Sequence, residues 1–171
     1  MRIYLTGFMG SGKSTVGRRL AERLGAPFVD LDLEIEQRAG MTVREIFEHQ
    51  GEAAFRRLEH ETLRATLELP RAVVATGGGT VTFENNLRLI RAEGLSVWLN
   101  PPFATIVERI GARGKRDRPL FRDEVQALAL YRERLPAYRR ADLTVDVARD
   151  EGPDEIAARI ALLIGGRRCA T

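Results

Sequence analysis

The 171 residues hold only one cysteine, Cys169, and two histidines, His49 and His60. A lone thiol closes no internal disulfide, which fits a reducing, cytoplasmic setting. The histidines share no metal-ligand spacing with each other or with Cys169 and read as surface residues. No apolar run approaches the roughly 20 residues that cross a bilayer, so no membrane contact is expected. No secretory leader pattern is visible either, because the chain enters its first apolar run at Ile3-Tyr4-Leu5. A dense basic block is also missing. The net charge is only +3, and the arginines are scattered among carboxylates rather than interleaved with aromatics. That pattern speaks against nucleic acid and for a mixed-charge surface with individual arginines set to meet small anions. No repeat, low-complexity segment or linker divides the chain, so residues 1–171 are expected to form one domain.

What is present begins with Gly7 to Thr15, GFMGSGKST. Gly7, Gly12, Lys13 and Ser14 occupy the four fixed positions of the phosphate-binding pattern G-x-x-x-x-G-K-[ST]. An apolar strand candidate precedes it and a helical pattern, Ser14 to Leu24, follows. The residue types answer to a highly charged ligand. Glycines let backbone N–H groups approach the phosphates, and the helix N-terminus adds its unpaired donors and its dipole. Gly10, Ser11, Gly12, Lys13, Ser14 and Thr15 are therefore the expected nucleotide-binding residues. Lys13 is expected at the β- and γ-phosphates, and the Ser14 hydroxyl on Mg²⁺.

Apolar strand candidates recur at Arg2–Thr6, Pro27–Val29, Ala72–Ala75, Ser96–Leu99 and Leu143–Val147, separated by helical patterns. The alternation predicts an α/β fold: a parallel sheet of about five strands with helices on both faces. Ligands in such folds gather at the carboxyl ends of the strands, and the chemically suggestive residues sit there. Asp30-Leu31-Asp32 follows the second strand. One acid suits a metal-bound water and the other an attacking hydroxyl; the plain alternative is that Asp32 caps a helix beginning at Leu33. Thr76-Gly77-Gly78-Gly79-Thr80 follows the third strand and offers bare backbone to a ligand, or else a flexible turn.

Thr42 to Leu69 reads as helical, with a break at Gly51 and a start at Thr42, where Glu45 completes a capping box. Within it Arg56 and Glu59 share a helix face, so Glu59 can hold the guanidinium in an orientation suited to a carboxylate. A solvated arginine is the alternative. Phe47 and Phe55 are either apolar walls of a site or ordinary core. Glu84 to Glu93 reads as a surface helix, and Trp98 as core. Gly111 to Asp123, GARGKRDRPLFRD, combines hinge glycines with Arg113, Lys115, Arg116 and Arg118 and has the composition of a mobile basic lid over ATP; a solvated charge run is the alternative. Tyr131 to Pro136 is read as following a helix, and Arg134 there either faces the site or is a solvated arginine. Gly165 to Thr171 reads as a frayed tail.

The ordered set of motifs resembles the shikimate kinases, within the wider group of P-loop small-molecule and nucleoside-monophosphate kinases. The resemblance runs from Ile3 to about Leu163. It rests on DLD at Asp30–Asp32, GEAAFRRLE at Gly51–Glu59, TGGG at Thr76–Gly79, RPL at Arg118–Leu120 and ERLPAY at Glu133–Tyr138. It implies a P-loop three-layer fold with a substrate-binding helical region near 32–67 and a lid near 111–123. It also implies ATP-dependent phosphorylation of the 3-hydroxyl of shikimate, a step toward chorismate and the aromatic amino acids, with Mg²⁺ accompanying ATP. By resemblance Asp32 binds the hydroxyl and is the candidate base. Arg56, Gly78 and Arg134 bind the substrate, the arginines holding its carboxylate. Lys13 and Arg118 act on the transferring phosphoryl group, Arg118 also contacting ATP, and the adenine loop lies around Ala148 to Pro153. A monomer needing no partner beyond shikimate and ATP is expected. The rival readings are a P-loop kinase for a nucleotide or for a sugar acid such as gluconate, and a nucleotide-binding regulatory module without catalysis.

Overall fold

The computed structural model describes the chain over residues 1–113 and 123–168. Five strands form one parallel sheet: β1 (Arg2–Thr6), β2 (Phe28–Asp30), β3 (Ala72–Ala75), β4 (Gly94–Asn100) and β5 (Leu143–Asp146). Their spatial order is β2-β3-β1-β4-β5. β1 lies at the centre, with Arg2 opposite both Ala72 and Gly94. Parallel neighbours require crossovers, and helices supply them: α1 (Lys13–Leu24), α2 (Leu31–Ala39), α3 (Val43–Ala65), α4 (Glu84–Glu93), α5 (Phe103–Arg113), α6 (Glu124–Tyr138) and α7 (Pro153–Arg168).

The period of two along each strand sorts the core into two layers. Ile3 and Leu5 of β1, Val73 of β3 and Val97 and Leu99 of β4 face α1 and α7, where Val16, Leu20, Ile156 and Ile160 are buried against them. Tyr4, Ala72, Val74 and Trp98 face the other way, onto Leu63, Leu87, Ile90, Ile106 and Tyr138. Trp98 is buried and stacks on Tyr138 at 5.9 Å, as a core residue should. A third, smaller cluster of Ile35, Ile46 and Phe55 ties α2 to α3 outside the sheet. A hydrogen bond joins the same two helices, from the Val43 N–H to Glu36 Oε1 at 2.9 Å.

Several local expectations shift by a residue or more. β2 starts at Phe28 and runs on to Asp30. Tyr131 to Pro136 lies inside α6 rather than after a helix, because Pro136 falls in its last turn and only one backbone bond is forfeited. The helical pattern of α7 continues through Gly165 and Gly166 to Arg168, so the expected frayed tail does not begin at Gly165. The Thr42 start and the Gly51 break are both as the sequence implies. Thr42 Oγ1 accepts from the Glu45 N–H while the Glu45 carboxylate accepts from the Thr42 N–H, and Gly51 interrupts α3 at φ 80°, ψ 170°.

Candidate active site

Between β1 and α1 the chain turns through Gly7, Gly10 and Gly12, at φ of 138°, 77° and 99°. These left-handed angles are the reason for glycine. Space adds a second: a Cβ on Gly7 would lie 2.7 Å from the Leu99 carbonyl oxygen. α1 starts at Lys13, with Gly12 as a cap that offers no side-chain acceptor and with no acid in the first turn. The first-turn N–H groups and the positive end of the dipole therefore meet no acidic side chain from their own turn or cap where an anion would dock. Lys13 Nζ donates to the carbonyls of Gly7 and Phe8 at 2.8 and 2.9 Å, which curls the loop around its own lysine. Ser11 Oγ is buried without a hydrogen-bond partner among the described residues. From α5, Arg109 donates to the Ser11 carbonyl at 3.4 Å. This cation beside the loop was not legible in the sequence, since nothing local marks a helix-face arginine as pointing there.

Across from the loop stand the two acids of DLD. Asp30, not Asp32, caps α2: its Oδ1 accepts from the Asp32 N–H at 3.2 Å. Because β2 runs one residue further than expected, the helix starts at Leu31 and Asp32 falls in its first turn, released from capping duty. Its carboxyl faces the cavity beside Gly77. Burial raises its pKa to about 6, and the neighbouring Asp30, Glu59 and Glu36 charges push in the same direction while Lys13 opposes them. A carboxyl held there is ionised at neutral pH and still basic enough to take a proton.

α3 brings up Arg56. The expected Glu59 partner is there, fully buried, with Oε2 accepting from Arg56 Nη1 at 3.0 Å. Glu52, one turn earlier, accepts from Nη2 at 3.1 Å. The rings of Phe55 and Phe83 lie 5.1 and 4.7 Å from the guanidinium carbon. Phe55 and Phe47 both line the cavity, as the apolar-wall reading requires. From α6 comes Arg134, buried to 6 % exposure over the ring of Phe8. Among the described residues no carboxylate forms a salt bridge with it. Tyr138, whose burial raises its pKa, donates to the Gly78 carbonyl at 2.6 Å and ties α6 to the glycine loop.

The three glycines after β3 explain how these groups come so close. A Cβ on Gly77 would lie 2.9 Å from both Asp32 Oδ1 and Glu59 Oε1. One on Gly79 would lie 2.9 Å from Arg56 Nη2 and 3.2 Å from Arg134 Nη2. The loop is bare because the site's own side chains rest on it. His60, read from sequence as a surface residue, is half-buried on the far side and pairs its Nδ1 with Asn86 Oδ1 at 2.7 Å. The correction has a simple cause: α4 packs over α3 at that turn.

One cavity of about 330 Å³ collects these residues, with Gly10, Gly12, Lys13, Ser14 and Thr15 at one end and Asp32, Arg56, Gly78 and Arg134 at the other. Every candidate of the phosphate loop except the buried Ser11 lines it. Arg118, and with it Lys115, Arg116 and most of the expected lid, lies outside the described residues. Glu36, Glu52 and Phe83 belong to the site or its support and were not singled out by their sequence neighbourhoods.

A parallel sheet in the order 2-3-1-4-5, a phosphate loop after the central strand and an arginine-lined cavity beside it define a P-loop kinase of small molecules. A family model described as shikimate kinase matches residues 9–164. The chain is 47 % identical over 165 residues to the shikimate kinase of Synechococcus sp. (strain CC9902), covering 95 % of this chain and 85 % of that one. It is 40 % identical over 169 residues to that of Aquifex aeolicus, covering 97 % of each. The solved shikimate kinase from Acinetobacter baumannii in complex with shikimate superposes with a TM-score of 0.91 at 37 % identity, over 97 % of this chain and 93 % of that one. The chain belongs to the shikimate kinase family.

Proposed function

We propose that the cavity holds shikimate with its carboxylate on Arg56 and Arg134 and its 3-hydroxyl at Asp32, while the loop from Gly7 to Thr15 presents the γ-phosphoryl of ATP. The reaction is that of the family, phosphorylation of the 3-hydroxyl to give 3-phosphoshikimate and ADP. What carries this reading is Arg134: a buried guanidinium with no carboxylate partner among the described residues, set beside Arg56 and opening on the same cavity as Asp32 and Lys13. Burying a charge without an opposite charge is costly, and a substrate carboxylate supplies the missing partner.

The remaining roles follow from position. Gly78 and Gly79 form the floor on which the carboxylate and the two arginines meet. Asp32 orients the hydroxyl and accepts its proton as the O–P bond forms. Lys13 neutralises charge that builds on the β,γ-bridging oxygen, and first-turn N–H groups of α1 hold the other phosphate oxygens. Arg118, placed by the sequence pattern alone, adds positive charge from the lid side. The donor set near the loop also suits Mg²⁺: the Ser14 hydroxyl and the Asp30 carboxylate are hard oxygen ligands. Among the described residues no cluster of three acids, histidines or cysteines would build a full protein cage. A sparse set of that kind matches an ion that keeps waters and shares phosphate oxygens. Ser14 would hold it directly and Asp30 through water; bound there, the ion supplies charge neutralisation at the transferring phosphoryl group. The adenine is assigned to the loop from Ala148 to Pro153 after β5. We assign the protein as a monomer. No helix among the described residues is long and apolar enough to cross a membrane, and we place the enzyme in the cytoplasm.

The test is ADP release from Mg-ATP with and without shikimate, with gluconate and nucleoside monophosphates run in parallel. Stimulation by shikimate alone is expected. Stimulation by one of the others would overturn the substrate assignment, and ATP binding with no stimulation by any acceptor would leave only a nucleotide-binding module.

A further inference from the structure

A phenyl ring stands where the fold has more use for a hydroxyl. Phe83 occupies the N-cap position of α4, and no side chain there caps the helix. Serine, threonine, aspartate and asparagine are favoured at such positions because they satisfy an orphan N–H. Phe83 forgoes that bond, and it is not a core residue either, being 40 % exposed. Its ring lies instead 4.7 Å from the guanidinium carbon of Arg56.

The three residues before it are fastened to the same arginine by another route. Thr80, fully buried, donates its hydroxyl to Glu59 Oε1 at 2.6 Å. The other oxygen of Glu59 accepts from Arg56 Nη1 at 3.0 Å, so the carboxylate has one oxygen on each. Thr82 Oγ1 donates to the Gly79 carbonyl at 2.6 Å, and Asn86 Nδ2 donates to the Thr80 carbonyl at 3.1 Å. The turn Thr80–Thr82 is thus bolted to the glycine floor on one side and to α4 on the other. From that fixed base Phe83 covers the guanidinium, whose side chain is 13 % exposed, and Thr80 orients the carboxylate that holds it.

We infer that Thr80 and Phe83 are positioning residues for Arg56: the segment after the glycine loop sets the orientation and hydration of the arginine, and through it the affinity for the substrate's carboxylate. The inference rests on the reading of Arg56 as a carboxylate ligand. Neither residue touches the reacting atoms, so their loss shows in substrate affinity rather than in chemistry. A desolvated cation over a ring is stronger than a hydrated one, and a guanidinium held in place loses less freedom on binding.

The decisive variant is Phe83→Ser, which removes the ring and restores a capping hydroxyl. The expected result is a KM for shikimate raised roughly three- to ten-fold, with kcat and the KM for ATP held within about two-fold and a melting temperature equal to or above that of the wild type. Phe83→Tyr, which keeps the ring, should return the shikimate KM to the wild-type value. Thr80→Val should raise it in the same way, and Thr80→Ser should not. The linkage is read by a double-mutant cycle: in an Arg56→Ala background, Phe83→Ser should add no further loss. If Arg56→Ala raises the shikimate KM and Phe83→Ser does not, the inference fails and the carboxylate reading stands. If Phe83→Ser costs its full factor in the Arg56→Ala background, the ring acts apart from the arginine and the inference fails. If Arg56→Ala leaves the shikimate KM unchanged, the carboxylate reading itself is lost.

Discussion

The two ends of the cavity are built by opposite means. At the nucleotide end, six consecutive residues between β1 and α1 do most of the work with backbone, through three glycines at positive φ and an uncapped helix start. At the acceptor end the binding groups are side chains from α2, α3 and α6 and a loop after β3, which meet only in the folded molecule. The first end is a local conformation and depends on its own sequence. The second is a convergence and depends on every element that holds it. Loss of one residue at the nucleotide end removes a cradle. At the acceptor end it shifts groups that lean on one another.

The two ends can be separated by substitution. The largest effect is expected where they meet. Asp32→Asn should lower kcat by roughly a thousand-fold, within the range general-base loss commonly gives, while titration calorimetry still finds ATP affinity close to wild type. Turnover near normal would remove Asp32 from its role. Next come two single-methyl changes with opposite signatures. Gly12→Ala puts a side chain at φ 99° and should lower ATP affinity by about ten-fold or more without altering shikimate binding. Gly79→Ala drives a methyl against Nη2 of Arg56 and of Arg134 and should raise the shikimate KM by roughly ten- to a hundred-fold, with ATP affinity kept. Equal losses of both ligands in either variant would mean that the ends are not separable.

A smaller effect is expected from pH. With the Asp32 pKa raised to about 6, the carboxylate form that accepts the proton is lost on acidification. The kcat/KM for shikimate should therefore fall about ten-fold per unit well below pH 6. Stability moves the other way. A carboxyl whose folded pKa lies above its unfolded value favours the native state when protonated, so its charge costs stability that is fully felt above pH 6 and absent below the ordinary value. Asp32→Asn should raise the melting temperature at pH 8 and leave it nearly unchanged at pH 3. A rise of equal size at both would point to packing rather than charge. The smallest effect belongs to the start of the helix that carries Arg56. Thr42→Ala removes the side-chain arm of its capping box and keeps the backbone one, and should cost about 1 kcal/mol of stability in urea unfolding, with kcat unchanged.

The loop was readable because its requirements are local. Glycine angles, the lysine and the helix start all fall within GFMGSGKST, and the parallel sheet followed from the alternation of apolar runs with helical patterns. Arg56 and Glu59 were readable as a pair for the same reason, being one helical turn apart. Arg134 was not readable from its neighbourhood alone, where it looks like any helix-face arginine; only the likeness to ERLPAY marked it. The role of the three glycines was half visible. Their bareness suggested a ligand, but Asp32, Glu59, Arg56 and Arg134 occupy that space, and four side chains from three distant helices cannot be seen to crowd one loop in a linear reading. Only the capping alternative moved: with β2 ending one residue later, Asp30 rather than Asp32 caps α2.

What the sequence by itself determined is what near neighbours decide: the period of two in the strands, the break at Gly51, the cap at Thr42, and a phosphate loop whose backbone angles only glycine adopts readily. What the tertiary structure alone decided is which charges are buried and against what. The lifted pKa of Asp32, the lack of a carboxylate on Arg134 among the described residues and the ring of Phe83 on Arg56 all depend on distances between elements far apart in the chain. Desolvation and Coulomb terms are set by those distances, and no local pattern encodes them.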